Sequence, residues 1–144
     1  MARTIFIASD HAGFNLKVEL SARLTAAGHT VQDMGTHSKD SCDYPVYAEK
    51  VCAAVLADEN SLGILICGSG IGMSMAANRH KGIRAALCTC EFQARYTRRH
   101  NNANVLCLAE RVTGCGVALE IADIFLAESF EGGRHAKRVA MLDA

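Results

Sequence analysis

The chain predicts one α/β domain, a mostly parallel five-stranded sheet wrapped by helices on both faces, and three observations lead there. Its 144 residues match the roughly 100 to 150 typical of a single domain and suffice to bury a core. Half the residues are hydrophobic and 21% are charged, with a single proline and no low-complexity tract to act as a linker. Five apolar runs alternate with helical stretches, and the runs are short and continuous, as strands covered on both faces require.

The first strand is expected over Thr4–Ala8. Asp10, just beyond it in Ser9-Asp10-His11, suits the N-cap of a helix over 13–27. The second strand, His29–Met34, ends at Gly35-Thr36-His37 and leads into a helix over 45–57. The third, Gly63–Cys67, runs into Gly68-Ser69 and a helix over 70–79, where Met73 and Met75 beside Ala76 and Ala77 read as helix core. Strands over Ile83–Leu87 and Asn104–Leu108 flank a helix over 91–99, and helices over 113–126 and 133–142 follow. Connections in such a sheet are right-handed, and ligands sit beyond the carboxyl ends of the strands. The polar residues just after the first three strands are therefore the ones to weigh.

Fifteen basic residues balance fifteen acidic ones, which argues against a nucleic-acid surface while leaving room for a local basic cluster around a small phosphorylated ligand. The N-terminal apolar run is too short for a signal peptide, and no run approaches the roughly 20 residues of a membrane span, so a cytoplasmic location is expected. Seven cysteines, an odd number scattered through apolar contexts, read as free thiols rather than a disulfide framework. Cys88-Thr89-Cys90 lacks a second pair at ligand spacing, and no structural metal is expected.

The segment Leu62 to Gly72 delivers Cys67 to a glycine-rich turn, Gly68-Ser69-Gly70-Ile71-Gly72. Glycines let backbone N–H groups approach an anion closely, and a helix starting near Gly70 adds its positive end. The plain alternative is a tight strand-to-helix turn with an ordinary buried cysteine. The glycine spacing, G-x-G-x-G after the third strand, does not fit dinucleotide binding, and the absence of lysine excludes a Walker loop. A cysteine phosphatase loop closes with an arginine six residues after its cysteine, where Met73 stands here, so the clamp on a transferring phosphoryl group is missing. Cys67 therefore reads as a proton carrier, with helix-start amides favouring its thiolate. An enediolate, formed by proton abstraction next to a carbonyl, is an anion that loop amides and the Ser69 hydroxyl would stabilise.

His100, in Arg98-Arg99-His100-Asn101, is able to move protons near neutral pH and so to open a cyclic sugar; its plain alternative is a helix C-terminal cap. Asn101 has the alternative of a turn residue. Arg134 and Arg138 stand four apart near a helix start opened by Gly132 and Gly133, an arrangement suited to phosphate or simply to a solvated face. Arg111 is a third candidate, with an ion pair to Glu110 as its alternative. His29, His37 and His80 read as surface or turn residues.

Taken together, Ser9-Asp10-His11-Ala12-Gly13-Phe14, Asp43-Tyr44-Pro45, Ile66 to Gly72, Ala76-Ala77-Asn78, Gly82-Ile83-Arg84-Ala85, Arg99-His100-Asn101 through Asn104-Val105-Leu106, and Phe130 to His135 resemble the type B ribose-5-phosphate isomerases. These belong to a sugar-phosphate isomerase family that includes galactose-6-phosphate isomerase. The resemblance runs nearly end to end. It implies a Rossmann-like α/β/α sandwich, assembled as a homodimer or dimer of dimers, that interconverts ribose 5-phosphate and ribulose 5-phosphate without metal or coenzyme. It implies that Cys67 moves the proton between C1 and C2, that Ser69 and the amides of Gly68, Gly70, Ile71 and Gly72 hold the enediolate oxygens, and that His100 opens the furanose. Asp10, His11 and Asn101 would hold sugar oxygens, and Arg111, Arg134 and Arg138 the phosphate, partly from a neighbouring subunit on which the C-terminal helix packs. Some members use a glutamate where Met73 stands, so this chain sides with the cysteine branch. Two alternatives stay open: isomerisation of a hexose 6-phosphate such as allose or galactose, and a non-catalytic sugar-phosphate sensor. The cysteines at 88, 90 and 107 have no role in the family pattern.

Overall fold

A computed structural model describes all 144 residues. Five parallel strands, β1 (Thr4–Ser9), β2 (Thr30–Asp33), β3 (Leu62–Cys67), β4 (Ala85–Leu87) and β5 (Val105–Ala109), pair in the order β2-β1-β3-β5-β4. Six helices accompany them: α1 (Phe14–Ala26), α2 (Tyr44–Ala57), α3 (Ile71–Ala77), α4 (Glu91–Asn101), α5 (Cys115–Ala127) and α6 (Arg134–Leu142). A short 3₁₀ turn at His11–Gly13 precedes α1, so the first helix opens tighter than the expected span.

Side-chain alternation divides the core in two. On one face Ile5, Ile7, Ile64, Ile66, Leu106 and Leu108 meet apolar residues of α1, α4 and α5. On the other, Ala8, Leu65, Cys67, Val105 and Cys107 meet α2 and α3. All six residues of β3 and all five of β5 are buried, which is why their sequences are uninterrupted apolar runs. Burial pushes the Cys52 and Cys88 thiols up to about 12 and Cys107 well above its ordinary value, so these act as small apolar packing groups. All seven cysteines are free.

β4 is shorter than the expected strand because Arg84 donates its backbone N–H to the Asn104 side chain instead of entering the ladder. α3 spans only seven residues, and two positions along a helix face nearly opposite ways. Met73 is accordingly fully buried, whereas Met75 is 60% exposed and is not core. No helix is long and apolar enough to cross a membrane.

β1 leads to β2 on one side of the sheet, and the chain then returns past β1 to β3. That reversal opens a crevice at the carboxyl ends of β1 and β3, the usual seat of ligands in open parallel sheets.

Candidate functional site

Two groups of predicted residues gather at opposite edges of the sheet. The first lies at the carboxyl edge. The Asp10 N–H donates to the Ile66 carbonyl at 3.2 Å, which sets Asp10 beside the end of β3. Asp10 is buried and its Oδ1 accepts from the N–H groups of Ala12 and Gly13 at 2.9 and 3.2 Å, so it caps the 3₁₀ turn, whereas α1 itself, expected to be its partner, follows Gly13 without a side-chain cap. The His11 ring accepts from the Cys42 N–H through Nδ1 at 3.2 Å, which ties the 34–43 segment to the same crevice.

Cys67 ends β3 with 5% of its surface exposed. Its Sγ accepts from the Gly70 N–H at 3.2 Å, an oriented donor on the sulfur. Gly70 caps α3 at φ 74°, a conformation that favours glycine. The Ser69 hydroxyl accepts from the Ile71 N–H at 3.2 Å and is exposed to the crevice. Bonds from Glu110 N–H to the Cys67 carbonyl and from Arg111 N–H to the Gly68 carbonyl, both 3.0 Å, zip the end of β5 to the cradle. The Arg111 side chain passes so near Gly68 that a Cβ there would lie 3.2 Å from Arg111 Cδ. Glu110 accepts from the Leu16 N–H at 2.6 Å rather than pairing with Arg111. The Tyr44 ring lies against Gly72, a contact with no local sequence signal.

The second group lies at the amino edge. α4 starts beyond β4 and runs back beside the sheet, so its C-terminus meets the loop into β5, where the Asn104 carbonyl accepts from Gly63 at the start of β3. β3 is six residues long, so about 16 Å separates its two ends. His100 and Asn101 are therefore far from the same chain's Cys67. Arg98 donates to the Ala103 and Glu128 carbonyls, and Arg99 donates to the Glu128 carboxylate at 2.6 Å. The Arg99 hydrogen bond holds Glu128 below the usual carboxylate range. With the Glu131 N–H bonded to the Arg99 carbonyl at 3.0 Å, the 128–133 segment is fixed against the end of α4.

This brings α6 over α4. His135 stacks on His100 with ring centres 4.1 Å apart and planes 12° from parallel, and Glu131 approaches both rings. Read as sequence, 131–138 is an arginine cluster in which Glu131 and His135 pass unnoticed, although their i, i+4 spacing is the available signal. Arg111, Arg134 and Arg138 are exposed and enter none of the ion pairs of the molecule. The Arg84–Asp143 pair at 2.8 Å anchors the far end of α6 to its own chain, while Met141 and Leu142 remain 68% and 65% exposed.

The carboxyl-edge group carries a buried thiol with an amide on its sulfur, a hydroxyl, a carboxylate, an imidazole and a free guanidinium. That set suits proton transfer on an anionic, oxygen-rich substrate.

Comparison with known proteins agrees with this chemistry. A family model described as Ribose/Galactose Isomerase matches residues 5–142. Ribose-5-phosphate isomerase B of Escherichia coli is 45% identical over 142 residues, covering 99% of this chain and 95% of that protein. The structure of the Clostridium thermocellum ribose-5-phosphate isomerase B superposes with a TM-score of 0.95 at 50% identity, covering 97% and 95% of the two chains. The Mycoplasma genitalium enzyme, solved with bound ribulose-5-phosphate, gives 0.93 at 44% identity, covering 96% and 93%.

Proposed function

Because the chain belongs to the ribose/galactose isomerase family, we propose that it interconverts ribose 5-phosphate and ribulose 5-phosphate through an enediolate, with Cys67 as the base. The observation that carries this reading is the Cys67 sulfur at the carboxyl end of β3, held by the Gly70 N–H in the same crevice as Asp10, His11, Ser69 and Arg111. Cys67 takes the proton from C2 of the open-chain aldose, and the C–H electrons form the C1–C2 double bond as charge moves onto O1. The proton returns to C1 while a hydroxyl proton passes from O2 to O1, which leaves the ketose. Amides of Gly68 to Gly72 and the Ser69 hydroxyl stabilise the enediolate oxygens. Asp10 and His11 hold sugar hydroxyls, and Arg111 takes the phosphate.

Ring opening needs an acid/base besides Cys67, and at the carboxyl edge Asp10 and His11 are already held by the backbone N–H groups of Ala12, Gly13 and Cys42. We assign it to His100 of a second copy, with Asn101, Arg134 and Arg138 of that copy completing the sugar and phosphate contacts. Tyr44, Val46, Ile71, Met75, Phe92 and Val112 support this assembly. All are exposed, and all lie on helices that begin at the carboxyl edge or, for Val112, in the turn just after β5. Such a rim favours an apolar contact around the crevice.

The test is turnover on ribose, allose and galactose phosphates by wild type and Cys67→Ala. Ribose 5-phosphate is expected to be turned over fastest, and Cys67→Ala is expected to lose isomerisation while keeping its circular dichroism. Retained turnover in Cys67→Ala would remove the base. A preference for a hexose phosphate would move the substrate, and binding without C2 proton exchange in deuterated water would make the chain a sensor.

A further inference from the structure

We propose that Arg3, Arg84, Arg98 and Asn102 form a binding site for a phosphate dianion, separate from the crevice around Cys67, at the amino edge of the sheet. A cavity of about 360 Å³ opens there between the starts of β1, β3 and β4 and the ends of α2 and α4. Its size falls within the roughly 300–1,000 Å³ usual for small-ligand pockets. All four residues line it, whereas His100, Asn101, Arg134 and Arg138 do not. Leu62, the first residue of β3, also lines it, so the length of that strand separates it from Cys67.

The charges around this cavity do not balance. Arg84 donates through Nη1 to the Asp143 carboxylate at 2.8 Å, but Arg3 and Arg98 enter none of the ion pairs of the molecule. Arg3 gives its Nε–H to the Leu126 carbonyl, and Arg98 gives its Nε–H and an Nη1–H to the carbonyls of Glu128 and Ala103. These carbonyls hold the two side chains in place without neutralising them. Arg98 is only 6% exposed and its guanidinium rests over the Phe125 ring, 5.3 Å from the centroid. Burial, with Arg3 and Arg84 nearby, pulls it down to about 10, so it is still charged at neutral pH. A buried charge is ordinarily paired. Glu59 is the only carboxylate on the cavity wall; it is exposed and bridges to none of the three arginines.

Donors remain for a ligand. Both Nη groups of Arg3, Nη2 of Arg84, Nη2 of Arg98 and the Asn102 side chain make no hydrogen bond within the chain. Guanidinium groups present paired N–H donors that match phosphate oxygens, and two positive charges without a carboxylate match the two negative charges of a phosphate.

The proposal does not rest on the isomerase reading, and it is tested where the catalytic grip on phosphate has been removed, in the full chain carrying Arg111→Gln and Arg134→Gln. Inorganic phosphate and glycerol phosphate are titrated calorimetrically at about pH 8, where the phosphate group carries close to two charges, in about 0.1 M potassium chloride to screen weak surface contacts. One anion per chain is expected. Tighter binding of glycerol phosphate identifies an ester as the ligand, and tighter binding of inorganic phosphate the free ion. Asn102 stands at φ 48°, a left-handed position that Asn and Asp share, so Asn102→Asp keeps the shape of the turn while supplying a carboxylate from within. It is expected to weaken binding by more than about tenfold. Arg3→Gln, ahead of the first strand, is expected to weaken binding severalfold and reads the site even if Asn102→Asp fails to fold. Unchanged affinity in either variant, or no binding once Arg111 and Arg134 are replaced, would overturn the proposal.

Discussion

Cys67→Ala and His100→Asn should complement each other when combined in one assembly. The reason is the length of β3: about 16 Å of strand stands between Cys67 and the amino edge where α4 ends, whereas a proton carrier must come within about 3 Å of the atom it serves. One substrate cannot use both residues of one chain. The proposed twofold assembly would resolve this by setting the carboxyl edge of each chain against the amino edge of the other, giving two equivalent sites. In a mixed dimer, one site then carries both defects and the other none. Purified mixed dimers should show about half the wild-type turnover, and a random mixture about a quarter, because only about half its dimers are mixed. Co-expression with two affinity tags and sequential purification isolates the mixed species, and native mass spectrometry counts its subunits. Ketose formation from ribose 5-phosphate supplies the rate. A verified mixed dimer no faster than Cys67→Ala alone would refute the shared site and with it the role given to His100.

Three further outcomes concern the scaffold. Gly70→Ala places a Cβ at φ 74° against Leu87 Cδ1 and 3.2 Å from the Leu108 carbonyl carbon; it should cost about 1–3 kcal/mol, read as a lower urea midpoint, and lower kcat by disturbing the donor on Cys67. Lys17 is fully buried and donates to Asp33 at 2.7 Å and to the Thr36 carbonyl at 2.5 Å, so Lys17→Met should destabilise by about 1–3 kcal/mol through the unsatisfied carbonyl and raise KM by loosening the segment that meets His11. His135 resists protonation in the fold relative to its ordinary value of 6.5. The unfolded chain therefore binds the proton first, and stability should fall as pH drops below about 6.5. The decline should be shallower in His135→Asn when urea midpoints at pH 7.5 and 5.5 are compared.

What could be read from the sequence follows from how local each feature is. Leu62 to Cys67 is buried along its whole length, so its apolar run announced a two-sided strand, and the residue after such a run falls at a ligand-binding edge whatever the neighbours do. The placement of Cys67, Asp10 and their glycines at that edge was legible for that reason. Met75 defeats the reading as core because a seven-residue helix on the rim buries only one stripe, and composition does not say which. The junction of His100 with His135 was hidden for a different reason. It is made by Arg98, Arg99 and Glu128, whose bonds fold the 128–133 segment onto the end of α4 across about thirty residues, and neither segment carries a period or spacing that names the other. His100 was read from sequence as a proton carrier for the same sugar as Cys67, without any sign of where the fold would place it. Proximity of roles in a reaction is not proximity in a chain: the strand between them sets the two residues apart, and the proposed assembly reunites them through a second copy.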